Sequence, residues 1–180
     1  MKIKLLVLFT LSALLFASCS SKDDETDNIW RDNNEEAFER ISNTSGYEKI
    51  ESESKAGSIA YRVIKSGEGK TPLYTDRVKV LYTGWYKRVD WNKEDIYTDE
   101  NGNTIRNKFI FDSTANRGDV PSIFRVSGVV DGFSTALQHM REGDKWEVWI
   151  PWQLGYGERG QSPILGYTTL VFEIELVEVL

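Results

Sequence analysis

Few side chains in this sequence could support covalent or metal chemistry. There is one cysteine, Cys19, and one histidine, His139. That is too few for a zinc finger, a cysteine cluster, an internal disulfide or a Cys–His nucleophile pair. His139 sits on the polar side of a helical stretch beside Met140, and no role is assigned to it. Glu94, Asp95, Asp99 and Glu100 crowd a polar segment and offer oxygen ligands, but their spacing matches no dedicated calcium loop, so a solvated hairpin is the simpler reading. No metal or cofactor is expected. What recurs is rings: Tyr82, Phe111, Phe124, Phe133, Tyr156 and Phe172, with Asp112 beside one of them. Taken alone, rings at alternate strand positions read as core, and Asp112 before Ser113-Thr114 reads as a turn or cap residue. Lys and Arg number 22 against 28 Asp and Glu, which leaves no basic surplus for phosphates and argues against nucleic acid as a partner.

The elements that must position these residues follow from periodicity. At 180 residues, 40% hydrophobic and 12% aromatic, the chain fits one packed domain with an appended segment. From Ile59 apolar residues alternate with period two: Ile59, Tyr61 and Val63; then Val78, Val80 and Tyr82, closed by Gly84. Shorter strands are expected at Phe109–Phe111 and Ile123–Val126, and longer ones around Trp146, Val148 and Ile150 and from Leu170 to Leu176. Only Val130, Phe133, Leu137 and Met140 recur at helical spacing in this region, stopping before Gly143. Between Tyr86 and Lys108 lies a polar insertion, residues 86–108, whose Asn101-Gly102 is a hairpin signal. Many strands around one short helix predict an α+β fold, an antiparallel sheet curled over that helix.

Ahead of this region, Trp30, Ala37, Phe38 and Ile41 share one helical face, with Glu35, Glu36 and Glu39 opposite. They predict a helix packed on the main body, ended by Ser42–Gly46 and followed by a linker-like stretch from Glu51 to Gly57. Ser20 to Asn28 is polar and reads as a flexible leader. At the very start, Lys2 and Lys4, an apolar run from Leu5 to Phe16 and the small pair Ala17-Ser18 before Cys19 form a secretory signal, too short to span a bilayer. The arrangement resembles a bacterial lipobox, which implies lipidation of Cys19; cleavage leaving Cys19 as a spare thiol is the alternative. Ser20–Glu25 resembles the acidic export signal of Bacteroidetes surface lipoproteins, or is a solvated tether. The expected organisation is a signal peptide over 1–18, a lipidated Cys with tether and helical extension over 19–58, and the main domain over 59–180. The expected location is lipid-anchored at the bacterial outer membrane, facing the surface, or else periplasmic.

The motifs of the main domain carry a more specific resemblance. Val80-Leu81-Tyr82-Thr83-Gly84, Phe111-Asp112-Ser113-Thr114, Phe124, Val129-Val130 with Gly132-Phe133, Ile150-Pro151, Leu154-Gly155-Tyr156-Gly157 and Thr169–Leu176 occur in this order. Together they resemble the motifs of FKBP-type peptidyl-prolyl cis-trans isomerases. The resemblance implies a half-barrel sheet of five to six antiparallel strands wrapped on one short helix, with the site between them. Tyr82, Phe111, Phe133 and Phe172 would line a proline pocket, with Val129 and Val130 at its rim and Phe124 in the neighbouring strand. The Val130 N–H would take a substrate carbonyl, Tyr156 would offer its hydroxyl, Asp112 would give a polar edge, and Ile164 would cover one side from the loop after Gly160. Implied partners are proline-containing polypeptides or unfolded exported proteins, macrolide inhibitors, and a membrane through the lipid.

The chemistry needs no nucleophile. Twisting an X–Pro amide breaks resonance against a barrier of roughly 18–20 kcal/mol, and a ten-thousandfold acceleration requires lowering it by about 5–6 kcal/mol. An apolar pocket disfavours the charge-separated planar amide, and hydrogen bonds hold the twisted one. The sequence departs from the family at Ser122, where a pocket aromatic is usual, and at Leu165-Gly166, where Pro-Pro is usual, which predicts a more open wall and a looser loop. A non-catalytic peptide-binding or holdase module on the same fold, and a structural subunit of a surface complex, are the competing readings.

Overall fold

The structure, a computed structural model, describes residues 22–180, with side chains from Asn28 onward. The signal peptide and Cys19 lie outside the described residues. The chain runs α1 (Lys22–Ser42), β1 (Glu48–Glu51), β2 (Ser58–Lys65), β3 (Arg77–Lys87), β4 (Ile96–Thr98), β5 (Thr104–Arg106), β6 (Lys108–Ser113), β7 (Ser122–Arg125), α2 (Asp131–Leu137), β8 (Lys145–Ile150) and β9 (Leu170–Val179). Seven strands form one antiparallel sheet in the order β1-β2-β8-β9-β3-β6, with β7 also on β3. The long central β3 pairs with β9 along its length, while β7 and β6 share its other edge one after the other.

The sheet has two covered faces. Alternation puts Trp146, Val148 and Ile150 of β8 toward α2, and a Cβ on Gly132 would sit 2.4 Å from Ile150 Cγ2, so only glycine lets helix and sheet approach this closely. Trp149, one residue off that register, points the other way. It pairs with Ala60 and Val171 and packs its ring against Trp91 and Trp85, with centroids 5.0 and 6.1 Å apart. Trp91 comes from the 86–108 insertion. α1 covers the same face through Ala37, Phe38 and Ile41 beside β2. A second apolar layer therefore lies behind the sheet, and both Ile59 and Ala60 of β2 are fully buried.

Three features differ from the expectations. α1 begins at Lys22, so part of the stretch read as a flexible leader is helical. β1 adds an edge strand ahead of residue 59, paired with β2 from Glu48↔Tyr61 to Glu51↔Ser58; its sequence, EKIE, has no buried face to reveal it. The insertion does form a hairpin, β4–β5, but its turn is a five-residue loop. Asp99 closes that loop by accepting from the N–H groups of Asn101 and Asn103 at 2.9 and 2.8 Å, and Gly102 adopts φ +82°. Two of the four acids of this segment are occupied within the protein: besides Asp99, Asp95 pairs with Lys87 at 2.5 Å and lies 3.6 Å from Lys108.

Candidate active site

Between α2 and the concave side of the sheet lies a cleft of about 530 Å³. Tyr82, Phe111, Asp112, Phe124, Val129, Val130, Phe133, Tyr156 and Phe172 all face it, together with Gly128 and Gln161. The floor is a set of edge-to-face rings. Phe133 meets Phe172 with centroids 5.1 Å apart at 88°, and Phe111 meets Phe172 at 5.5 Å and 87°. Tyr82 stands edge-on to Phe133 at 6.0 Å. Edge-to-face packing is the favoured arrangement of aromatic quadrupoles, and it leaves a rigid apolar floor. Gly84 makes room for it: a Cβ there would stand 2.5 Å from Phe172 Cε1 and 2.6 Å from Phe111 Cζ.

Local sequence explains how these groups are set. In Phe111-Asp112-Ser113-Thr114 each residue has a distinct task. Phe111 enters the cleft. Ser113 Oγ caps the short 3-10 turn 114–117 by accepting from Ala115 N at 3.2 Å. Thr114 Oγ1 holds the backbone of Tyr82, accepting from its N–H at 3.1 Å and donating to its carbonyl at 3.2 Å. Asp112 Oδ2 accepts from the Tyr82 hydroxyl, and Oδ1 accepts from Arg117 Nη1 at 2.8 Å. Arg117 Nη2 also donates to the Tyr82 hydroxyl oxygen at 3.3 Å and to Ser122 Oγ at 3.2 Å.

This network fixes the charges. Burial pushes the Asp112 carboxyl up, but the bonds from Tyr82 and Arg117, with the charge of Arg117, outweigh it and hold the group below its ordinary value. Burial, then the bond to Asp112, pushes the Tyr82 phenol up. Burial, then the negative charge of Asp112, does the same for Tyr156, so both tyrosines remain protonated donors. Among the described residues the Tyr156 hydroxyl has no hydrogen-bond partner. The N–H of Val130, at the entrance of α2, makes no hydrogen bond among them either. Two donors therefore border an apolar cleft with nothing to bond to.

Of the residues read from the sequence, Ile164 alone is elsewhere: it is buried, 6% exposed, outside the cleft lining. Mutual backbone bonds between Gln161 and Ile164 (2.9 and 2.7 Å) fold the loop so that Gln161 takes the cleft position instead. The loop is also not loose. Tyr167 N donates to Gly157 O at 3.0 Å and Thr168 Oγ1 to Leu165 O at 2.8 Å. Gly166 lies so near the Glu158 carbonyl that a Cβ would stand 1.8 Å from its oxygen; glycine there does the closing that stiff prolines would otherwise do. At Ser122 the missing ring is answered by the Arg117 bond. Sequence reasoning missed Arg117 and Gln161; an arginine five residues after an acid with a capped turn between them is the signal that was available for the first.

The cleft thus has a floor of rings, bordered by two unpartnered donors, the Tyr156 hydroxyl and the Val130 N–H, and by the Gln161 amide. The chain belongs to the FKBP-type peptidyl-prolyl cis-trans isomerase family, whose model matches residues 68–177. It is 42% identical over 128 residues to the FKBP-type 22 kDa peptidyl-prolyl cis-trans isomerase of Escherichia coli, covering 71% of this chain and 52% of the relative. It is 36% identical over 122 residues to the outer membrane protein MIP of Legionella longbeachae, covering 67% and 44%. A peptidyl-prolyl cis-trans isomerase from Pseudomonas syringae superposes with a TM-score of 0.63 at 27% identity, covering 84% of this chain and 94% of that one. The chain spans about half the length of the curated relatives it matches.

Proposed function

We propose that this chain is a peptidyl-prolyl cis-trans isomerase acting on X–Pro bonds of exported or surface proteins. The observation that carries the reading is the conjunction, in one cleft, of the Phe111–Phe133–Phe172 floor with the unpartnered Tyr156 hydroxyl and Val130 N–H. A proline ring on that floor leaves water, and the planar amide, whose resonance form is charge-separated, loses its solvation there. As the C–N bond twists, the carbonyl no longer conjugates with nitrogen. The Val130 N–H and the Tyr156 hydroxyl would hold the carbonyls on either side of the bond, and the ionised Asp112 would fix Tyr82 at the edge through its hydroxyl. Macrolides that present a proline-like ring would compete for the same floor. Cys19 would carry the lipid that holds the protein at the outer membrane, a location in keeping with the Legionella relative being named an outer membrane protein.

The test is a protease-coupled isomerisation assay on the chain from Ser20 onward, with peptides varied before proline. Acceleration that falls in Tyr156→Phe is expected. A folded sample that gives no acceleration would overturn the reading. Mass spectrometry of the membrane-extracted chain tests the anchor, through an acyl mass on Cys19 that is lost in Cys19→Ala.

A further inference from the structure

Both walls of the cleft that carry free donors are gripped by residues that precede the family-matched segment 68–177. On one side, Ser52 Oγ donates to Asp131 Oδ2 at 2.7 Å, and Ser54 Oγ donates to the same oxygen. Asp131 is the first residue of α2 and directly follows Val130, which lines the cleft, so these bonds fix the backbone next to the Val130 N–H. On the other side, α1 holds the segment from Trp152 to Thr169, which carries Tyr156 and Gln161, at three points. Trp152 Nε1 donates to Glu35 Oε1 at 2.9 Å near its start, Trp30 Nε1 donates to Gly166 O at 3.0 Å past its crown, and Thr169 closes on Asn34 at its end.

The last contact is the most committed. Asn34 is fully buried, and all its side-chain polar atoms are bonded. Nδ2 donates to Trp30 O at 2.8 Å, and Oδ1 accepts from Thr169 N at 2.9 Å and Trp91 Nε1 at 3.1 Å. Its carbonyl accepts from Thr169 Oγ1 at 3.0 Å. A buried amide satisfied in this way admits one arrangement of its neighbours, because any other leaves a polar group unpaired.

We propose that residues 30–54 form a brace that sets the two donor-bearing walls of the cleft against each other, with Trp30, Asn34 and Ser54 as positioning residues for turnover. The proposal rests on the cleft being the isomerase site. Turnover depends on Tyr156 and Val130 meeting the twisting amide together, and misplacement of about 1 Å in such a pair is enough to cost up to a hundredfold in rate. Ground-state binding of the proline ring depends on the aromatic floor, and the ring contact of the brace is Trp30 on Tyr86 rather than on Phe111, Phe133 or Phe172. The brace therefore acts on kcat more than on KM.

The test compares Trp30→Phe, Ser54→Ala and Ser54→Thr in the full-length chain in mild detergent. Trp30→Phe keeps a ring facing Tyr86 while deleting the donor and part of the half-buried indole, and Ser54 is exposed, so neither substitution empties a fully buried site. Trp30→Phe and Ser54→Ala are expected to lower kcat about three- to tenfold with KM nearly unchanged, and Ser54→Thr, which keeps the hydroxyl, to restore it. Amide exchange at Gly160, Gln161 and Tyr167 should quicken in Trp30→Phe while Val148 and Ile174 hold their rates. Wild-type kcat in both variants, or a loss that Thr does not rescue, would overturn the proposal. If the unmodified chain itself shows no turnover, the isomerase reading fails separately, and unchanged exchange at Gly160 and Gln161 would then overturn the brace on its own terms.

Discussion

Gly84→Ala should disable the cleft from its floor while leaving the fold in place. The added Cβ would meet Phe172 Cε1 at 2.5 Å and Phe111 Cζ at 2.6 Å, where carbon atoms normally rest at about 3.5–4.0 Å. Each ring must therefore shift by about 1 Å, and the open direction is into the cleft. Overpacking of this kind costs about 1–3 kcal/mol; because the contacts are ring edges and Phe111 is only partly buried, the lower part of that range applies. For a chain of this length that is a fall in melting temperature of about 3–6 °C. Gly132→Ala is the control. Its Cβ meets Ile150 Cγ2 at 2.4 Å and Cγ1 at 3.0 Å, and Ile150 is fully buried on β8, so α2 itself must lift and the melting temperature should fall further. The assays are thermal denaturation and prolyl isomerisation at 10 °C, where both variants remain folded. Gly84→Ala should lose about tenfold or more in kcat/KM. Wild-type turnover in Gly84→Ala, or a larger loss of stability there than in Gly132→Ala, would refute the reasoning.

Tyr156→Phe deletes one neutral donor worth about 1–1.5 kcal/mol and should cut kcat/KM roughly tenfold with an unchanged melting temperature; steady-state kinetics beside a thermal scan checks both. Arg117→Leu removes a donor and a charge from Asp112. The bonds from Tyr82 and the Ser113 backbone remain, but with the bond and charge of Arg117 gone the carboxyl moves up. A lowered carboxylate stabilises the fold above its unfolded value and loses that effect as pH falls through the folded one, so the variant should be less stable than the wild type near neutral pH, and the gap should close as pH falls through the wild-type folded value. A carbon-13 titration of Asp112 with an unmoved midpoint would contradict this. Behind the sheet, the Glu147 carboxylate accepts from Tyr47, from Trp149 at 2.9 Å and from Arg62 at 2.7 Å. The Tyr47 phenol, pushed up to about 12 by burial and then by Glu147, should fall in Glu147→Gln, as an ultraviolet titration would show.

The legible parts of this molecule are those where one physical rule dominates. Val78, Val80 and Tyr82, or Trp146, Val148 and Ile150, alternate because one face of their strand is dry, and Tyr82 and Phe172 bring cleft rings to that face of the sheet. What escaped has its cause outside the strand. Trp85 and Trp149 occupy the face that alternation turns away from α2, and only the arrival of α1 and Trp91 makes it a second core; large rings at such positions are themselves the sign of a covering layer. Asn34 hides because it is a polar residue in the apolar stripe of α1, and its partners lie in two distant segments. Gln161 takes the place expected for Ile164 because a four-residue turn, 161–164, decides which of them faces the cleft. Arg117 reaches Asp112, Tyr82 and Ser122 through a turn whose geometry composition does not reveal.

The most direct test of the central claim is the exchange rate between cis and trans proline signals of a short X–Pro peptide, followed by nuclear magnetic resonance with catalytic amounts of the chain. The account predicts exchange accelerated by the wild type, reduced in Tyr156→Phe and further reduced in Gly84→Ala. A folded wild-type sample that binds the peptide and leaves the exchange rate at its uncatalysed value would contradict it.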